Sequence, residues 1–252
     1  MAVNEDILCE KRFVDLARQA DQKGIVCFSN FLTIHELNIL REATPRLYGT
    51  HEVFGGYPNA ERQMAAFLPD AFCYEWNYPI ECIQLQPMYP KFAQELSHRD
   101  VLGSLMSLGL ERDKLGDILA KQNTFYLFVR QEMSSYILEE LHEIRHTVVQ
   151  CQIVPPQTAE NLTPNMTEHT SIIASNRLDN VIAAFSGKSR SHAVSFIQSG
   201  KIFVNGAERL HNTYICKPGD VISVRGIGKF IFDGVSGETK KGRIKILYRK
   251  YI

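Results

Sequence analysis

Hydrophobic and polar positions alternate along this chain with two periods, one helical and one extended, and they change over several times. Near residues 5–20, Ile7, Phe13, Leu16 and Ala17 keep near-helical spacing, and Gly24 closes the run. Ile25 to Phe28 reads as a short strand. Thr33 with Glu36 forms a capping box that opens a helix through about Glu42, with Pro45 just beyond it. Gly55-Gly56-Tyr57-Pro58-Asn59 predicts a turn, and Glu61 to Phe67 predicts a short helix that stops before Pro69.

From Pro79 to Pro156 the pattern predicts strand Ile80–Gln86, helix Asp100–Leu108 with Gly109 at its C-cap, strands Asp117–Ala120 and Phe125–Arg130 around a turn containing Asn123, helix Glu132–His142 and strand Thr147–Val154. The order β-α-β-β-α-β is that of a ferredoxin-like domain, a plan that hosts many functions. Phe125, Tyr126 and Phe128 in its third strand are expected to pack in the core rather than to stack on bases. The polar, proline-containing stretch from Pro155 through Asn165 reads as a linker.

A third unit starts near Ser171. Leu178, Val181, Ile182 and Phe185 fall at i, i+3, i+4 and i+7, one apolar helix face. Gly187 and Lys188 break it. Ser189 caps a second helix whose buried face is Ala193, Phe196 and Ile197, ended by Gly200. Lys201 to Val204 is a strand closed by the hairpin signal Asn205-Gly206. Lys217-Pro218-Gly219-Asp220 is another turn. Val221 to Arg225 is a strand with Ile222 and Val224 on one side and Ser223 and Arg225 on the other, and Lys229–Phe232 follows the turn at Gly226 and Gly228. The fold class is therefore α+β and multidomain: an N-terminal α/β segment (1–78), the ferredoxin-like segment (79–156), a linker (157–174) and a C-terminal domain (175–252).

Charge sharpens this division. The chain is neutral overall, with 28 Lys and Arg against 28 Asp and Glu. Residues 171–252 hold 14 Lys and Arg against 5 Asp and Glu, a net of +9, so residues 1–170 carry −9. One end is suited to a polyanion and the other is not. The early charges Glu5, Asp6, Glu10, Lys11, Arg12 and Asp15 do not fit a signal peptide, and no apolar run is long enough to span a bilayer, so a cytoplasmic protein is expected. The six cysteines form no C-x-x-C pair and read as reduced thiols.

The string Arg177-Leu178-Asp179, Ser189-Arg190-Ser191, Ala193, Ile197, Gly200, Val204-Asn205-Gly206 and Gly219-Asp220 through Val224-Arg225-Gly226 resembles the S4-like RNA-binding domain, also called the α-L domain, over residues 175–235. In that family the two helices and the following hairpin grip structured RNA. The residues alone point the same way: a helix start at Ser189 offers free N–H groups to a phosphate, and Lys188 and Arg190 bracket it. Candidate RNA-binding residues are Arg177, Lys188, Ser189, Arg190, Ser191, Lys201, Asn205, Arg209, Lys217, Arg225 and Lys229. Phe54 to Arg62, His98 to Gly109 and Gly116-Asp117-Ile118 make nearly the whole chain similar to the YlmH family. That resemblance implies bacterial proteins that associate with the large ribosomal subunit, meet rRNA and tRNA there, and act in ribosome-associated quality control of stalled nascent chains, with the middle segment as a second RNA-binding domain.

No cofactor, metal or small-molecule substrate is expected, and the protein is expected to be monomeric off the ribosome. His98-Arg99-Asp100 lacks the asparagine of a kinase loop, since Leu105 stands there. His142-Glu143-Ile144-Arg145-His146 matches the zinc-protease string, which needs both histidines on one helical face; the predicted helix ends near His142. Arg177-Leu178-Asp179 resembles the catalytic aspartate motif of pseudouridine synthases. The alternative to a noncatalytic RNA-binding protein is thus an RNA-modifying enzyme, of the pseudouridine synthase or methyltransferase type, with an unrecognised site.

Overall fold

The computed structural model describes residues 2–58, 60–70, 74–159, 166–240 and 242–251. Cys73, Asn59 of the expected turn and residues 160–165 of the expected linker lie outside them. The chain forms two compact units, Met1–Thr163 and Pro164–Ile252.

In the first unit, α1 (Ala2–Lys23) ends at Gly24 in the left-handed region (φ 63°) and leads to β1 (Cys27–Leu32). Thr33 and Glu36 form the expected capping box at α2 (Ile34–Ala43). Then come β2 (Thr50–Phe54) and β3 (Gln63–Leu68), in an antiparallel sheet ordered β1-β3-β2. The expected helix at Glu61–Phe67 is therefore a central strand. Met and Ala favour helices, but both faces of this strand are buried, and tertiary packing outweighs propensity. Met64 packs with Phe31, Tyr57 and Phe128, while Ala65 and Phe67 pack on the other side with Phe13, Ala17 and Ala20.

The rest of this unit is β4 (Ile80–Pro87), α3 (His98–Ser107), β5 (Leu115–Lys121), β6 (Thr124–Arg130), α4 (Ser134–Glu140), β7 (Glu143–Ile144) and β8 (Thr147–Val154). The antiparallel sheet runs β5-β6-β4-β8-β7, the ferredoxin-like order with one short added edge. Val101, Leu105, Ile137 and Leu141 cover one face by packing on Ile83, Leu85, Leu127 and Val129. On the other face Cys82, Tyr126 and Phe128 join Phe31, Tyr57 and Met64 in a single core. Phe125, Tyr126 and Phe128 are buried. This shared core runs across the expected boundary at residues 78 and 79, so segments 1–78 and 79–156 lie in one unit.

Polar bonds fasten the same junction. The Asp117 carboxylate accepts from Tyr57 Oη (2.7 Å) and from the backbone N–H groups of Glu61 (2.6 Å) and Arg62 (3.2 Å). The Arg62 guanidinium donates to the carbonyls of Leu115 and Phe31. The expected helix Glu132–His142 is shorter, and Glu143–Ile144 pairs with Thr147–Val148 in a hairpin. Of the histidines in the zinc-protease string, His142 thus lies between the helix and the hairpin and His146 lies in the hairpin turn, so they do not share a helix face.

The second unit contains β9 (Met166–Ile173), α5 (Leu178–Ser186), α6 (Arg190–Gln198), β10 (Ile202–Val204), β11 (Ala207–Glu208), β12 (Asp220–Val224), β13 (Gly228–Glu238) and β14 (Ile244–Tyr251). Its antiparallel sheet runs β11-β10-β12-β13-β14-β9. Residues 166–173, expected as linker, are thus an edge strand paired with β14 from Met166↔Tyr251 to Ile173↔Ile244. Only Ile173 of this strand is buried; its partner stands some seventy residues later, so local polarity reads as linker. Leu178, Val181, Ile182 and Phe185 of α5 and Ala193 and Ile197 of α6 close one sheet face over Ile202, Val204, Ile222, Val224, Phe230, Phe232 and Ile246.

Candidate nucleic-acid interface

The start of α6 is built as its sequence requires. Gly187 ends α5 in the left-handed region (φ 62°), and the Ser189 hydroxyl accepts from His192 N at 3.3 Å. Lys188, Ser189, Arg190 and Ser191 are exposed. The first-turn N–H groups and the positive end of the helix dipole therefore face solvent between two basic residues.

Arg190 has a second task that the sequence does not disclose. Its Nε donates to Asp179 Oδ2 at 2.8 Å, and its terminal nitrogen lies 2.7 Å from the same oxygen. The Asp179 side chain is 0% exposed, against 56% for Arg190. Arg177, the N-cap residue of α5, approaches the same carboxylate at 3.4 Å, and Asn180 N–H donates to it at 3.1 Å. Asp179 thus joins the starts of both helices. Removing Arg190 would strand a buried carboxylate. Asp179 is also sealed against the catalytic role that its motif suggests.

The hairpin turn is held from inside. Asn205 (φ 51°) and Gly206 (φ 80°) both take the left-handed conformation that a two-residue hairpin needs. Asn205 donates from Nδ2 to Asp220 Oδ1 (2.8 Å) and accepts from Val221 N–H (2.9 Å). Asp220, buried, also accepts from Tyr214 Oη (2.9 Å) and Lys217 N–H (2.8 Å). Burial and the Asp220 carboxylate push the Tyr214 phenol up to about 12. The Asn205 amide therefore helps to hold the turn. Lys217 is exposed, Arg209 stacks over Tyr214 (5.0 Å), and Lys201 lies over Phe196 of α6 (5.3 Å).

Arg225 and Lys229 stand elsewhere. Arg225 covers Phe203 (4.6 Å) and Lys229 covers Tyr251 (5.1 Å). Phe203 alternates with the buried Ile202 and Val204, and Lys229 precedes the buried Phe230. Both cations thus belong to the sheet face opposite the helices, and the candidate set divides over two sides of the sheet. The parity of Ile222 and Val224 against Arg225 carried that signal. Asp179 and Tyr214, which organise the helix side, are the residues that the sequence reading missed; a charged residue in an apolar helix face next to an N-cap is the available hint for Asp179.

Residues 75–158 match the family described as "Putative RNA-binding domain in YlmH", and residues 176–222 match the S4 domain. The ribosome-associated protein quality control protein P2 of Bacillus subtilis (strain 168) is 26% identical over 249 residues, covering 96% of this chain and 95% of the relative. The solved cell division protein ylmH from Streptococcus pneumoniae shares the fold over 62% of this chain and 94% of its own, with a TM-score of 0.54 and 15% identity. Two domain matches in this order, and a relative aligned along almost the full length, make the chain similar to the YlmH family, with a C-terminal S4 domain.

Proposed function

We propose that the protein is a noncatalytic RNA-binding factor of the cytoplasm that associates with the large ribosomal subunit and takes part in quality control of stalled nascent chains. The observation that carries this reading is the exposed start of α6, with Lys188, Ser189 and Ser191 at the surface of a segment of net charge +9. A helix N-terminus set among cations holds phosphate and reads the shape of an RNA backbone more than its bases. Its context supports the ribosome as the place: the relative from Bacillus subtilis is named for ribosome-associated quality control. Asp179, locked between Arg190 and Arg177, favours an RNA-gripping role over base modification.

In this reading rRNA and tRNA are the partners, no cofactor is used, and the protein is monomeric off the ribosome. Arg177, Lys188, Ser189, Arg190, Ser191, Lys201, Arg209 and Lys217 form the main RNA surface, with Arg225 and Lys229 on a separate face. The test is cosedimentation of the full chain with separated ribosomal subunits at moderate salt. Pelleting with large-subunit particles is expected; protein left at the top of the gradient while those particles pellet refutes the ribosome assignment.

A further inference from the structure

Beside the β10–β11 hairpin lies a depression of about 400 Å³ lined by Glu208, Arg209, Leu210, His211, Thr213 and Tyr214. Its volume falls within the roughly 300–1,000 Å³ typical of small-ligand sites. Its walls are anchored. Tyr214 donates its hydroxyl to Asp220 and its carbonyl accepts from Leu178 N–H at 2.9 Å. Arg209 N–H donates to the Ile202 carbonyl at 2.9 Å. Ile215, next in sequence to Tyr214, bridges to Arg177, so the depression borders the Asp179 cluster and the helix starts.

The chemistry of the lining is that of a nucleobase site. The Arg209 guanidinium lies 5.0 Å from the Tyr214 ring centre, and its Nε is shielded without an acceptor. Arg190 and Arg249, by contrast, are clamped by Asp179 and Asp233. A flat cation on an aromatic ring, with the half-exposed Leu210 beside it, suits stacking by an unpaired base. Glu208 supplies the edge. Asp179, Asp220 and Asp233 are each engaged by protein donors, whereas among the described residues no cation lies within ion-pair distance of Glu208. A free carboxylate repels RNA phosphates, so on this surface it is favourable only against base donors. Guanine presents two adjacent donors, N1–H and N2–H, to the two oxygens of one carboxylate; the other bases present at most one to such a pair.

We propose that this depression receives one unstacked guanine of the bound RNA, stacked on Arg209 and Tyr214 with its Watson–Crick edge on Glu208. The inference rests on the RNA-binding reading above and adds a base preference to it. The test uses the full chain and three labelled RNA duplexes that differ only in carrying a single bulged guanine, a bulged adenine or no bulge, with affinity read by fluorescence anisotropy. The guanine bulge is expected to bind about tenfold tighter than the other two, the order of magnitude of one bidentate base contact. Glu208→Gln should abolish that preference and leave the paired duplex as well bound or slightly better. Arg209→Gln should weaken the bulged RNA more than the paired one. Circular dichroism checks that both variants are folded. Equal, salt-dependent binding of all three RNAs by the unaltered protein overturns the guanine site and leaves the RNA-binding reading standing. A guanine preference that survives in Glu208→Gln also overturns it. No binding of any RNA overturns both.

Discussion

Arg190→Ala tests the claim that Asp179 is the joint between the two helix starts. The change removes the closer of two cations from a carboxylate that has no contact with water. What remains is Arg177 at 3.4 Å and the Asn180 N–H at 3.1 Å. Breaking one side of a fully buried pair costs about 3–5 kcal/mol. Arg190 is more than half exposed, so water screens part of the interaction, and the second cation stays; roughly 2–3 kcal/mol is the expected loss. Urea unfolding followed by far-ultraviolet circular dichroism measures it, with amide exchange over residues 178–198 to place the loss in the second unit. Asp179→Asn in the Arg190→Ala background removes the uncompensated charge, so the double variant should be no less stable than Arg190→Ala alone, with a coupling of about 1–3 kcal/mol. Additive effects of the two changes, or a loss below about 0.5 kcal/mol for Arg190→Ala, refute the joint.

Three further outcomes follow from the geometry. Lys188→Ala and Lys201→Ala, at exposed positions, should leave the circular dichroism spectrum unchanged and each lower the slope of log K for RNA against log salt by about one or slightly less; an unchanged slope in both moves the phosphate contacts elsewhere. Gly56 sits at φ 97° with the Phe128 ring where a Cβ would go, so Gly56→Ala should destabilise the first unit by about 2–4 kcal/mol, read from the fluorescence of Trp76, the single tryptophan. Burial lowers the His51 imidazole below its ordinary 6.5; the unfolded chain then takes up the proton first, and the stability this group contributes is present above about pH 6.5 and is lost as pH falls through it. His51→Gln should therefore flatten the fall in urea midpoint between pH 7.5 and 5.5, and an identical pH profile would show that His51 titrates alike in both states.

Much of this protein is legible in the sequence because the deciding interactions are local. The Thr33–Glu36 box, the Ser189 cap, the Asn205-Gly206 turn and the β-α-β-β-α-β order of residues 80–154 each depend on residues a few positions apart. What escaped depends on partners far along the chain. Gln63–Leu68 has helix-forming residues, yet it is a strand because Phe13 and Ala17 cover one face and Phe31 and Phe128 the other. Met166–Ile173 reads as linker, yet it is a strand because β14 offers it an edge. The candidate site shows the same limit. The cations and the helix start were readable, but whether a cation is free was not: folding brings Asp179 onto Arg190 across eleven residues, bonds Asn205 to Asp220 across fifteen, and turns Arg225 and Lys229 to the far side of the sheet. Sequence fixes which groups are available, and only the tertiary structure decides which of them the fold itself consumes, because a buried carboxylate or turn must find its partners before any ligand can.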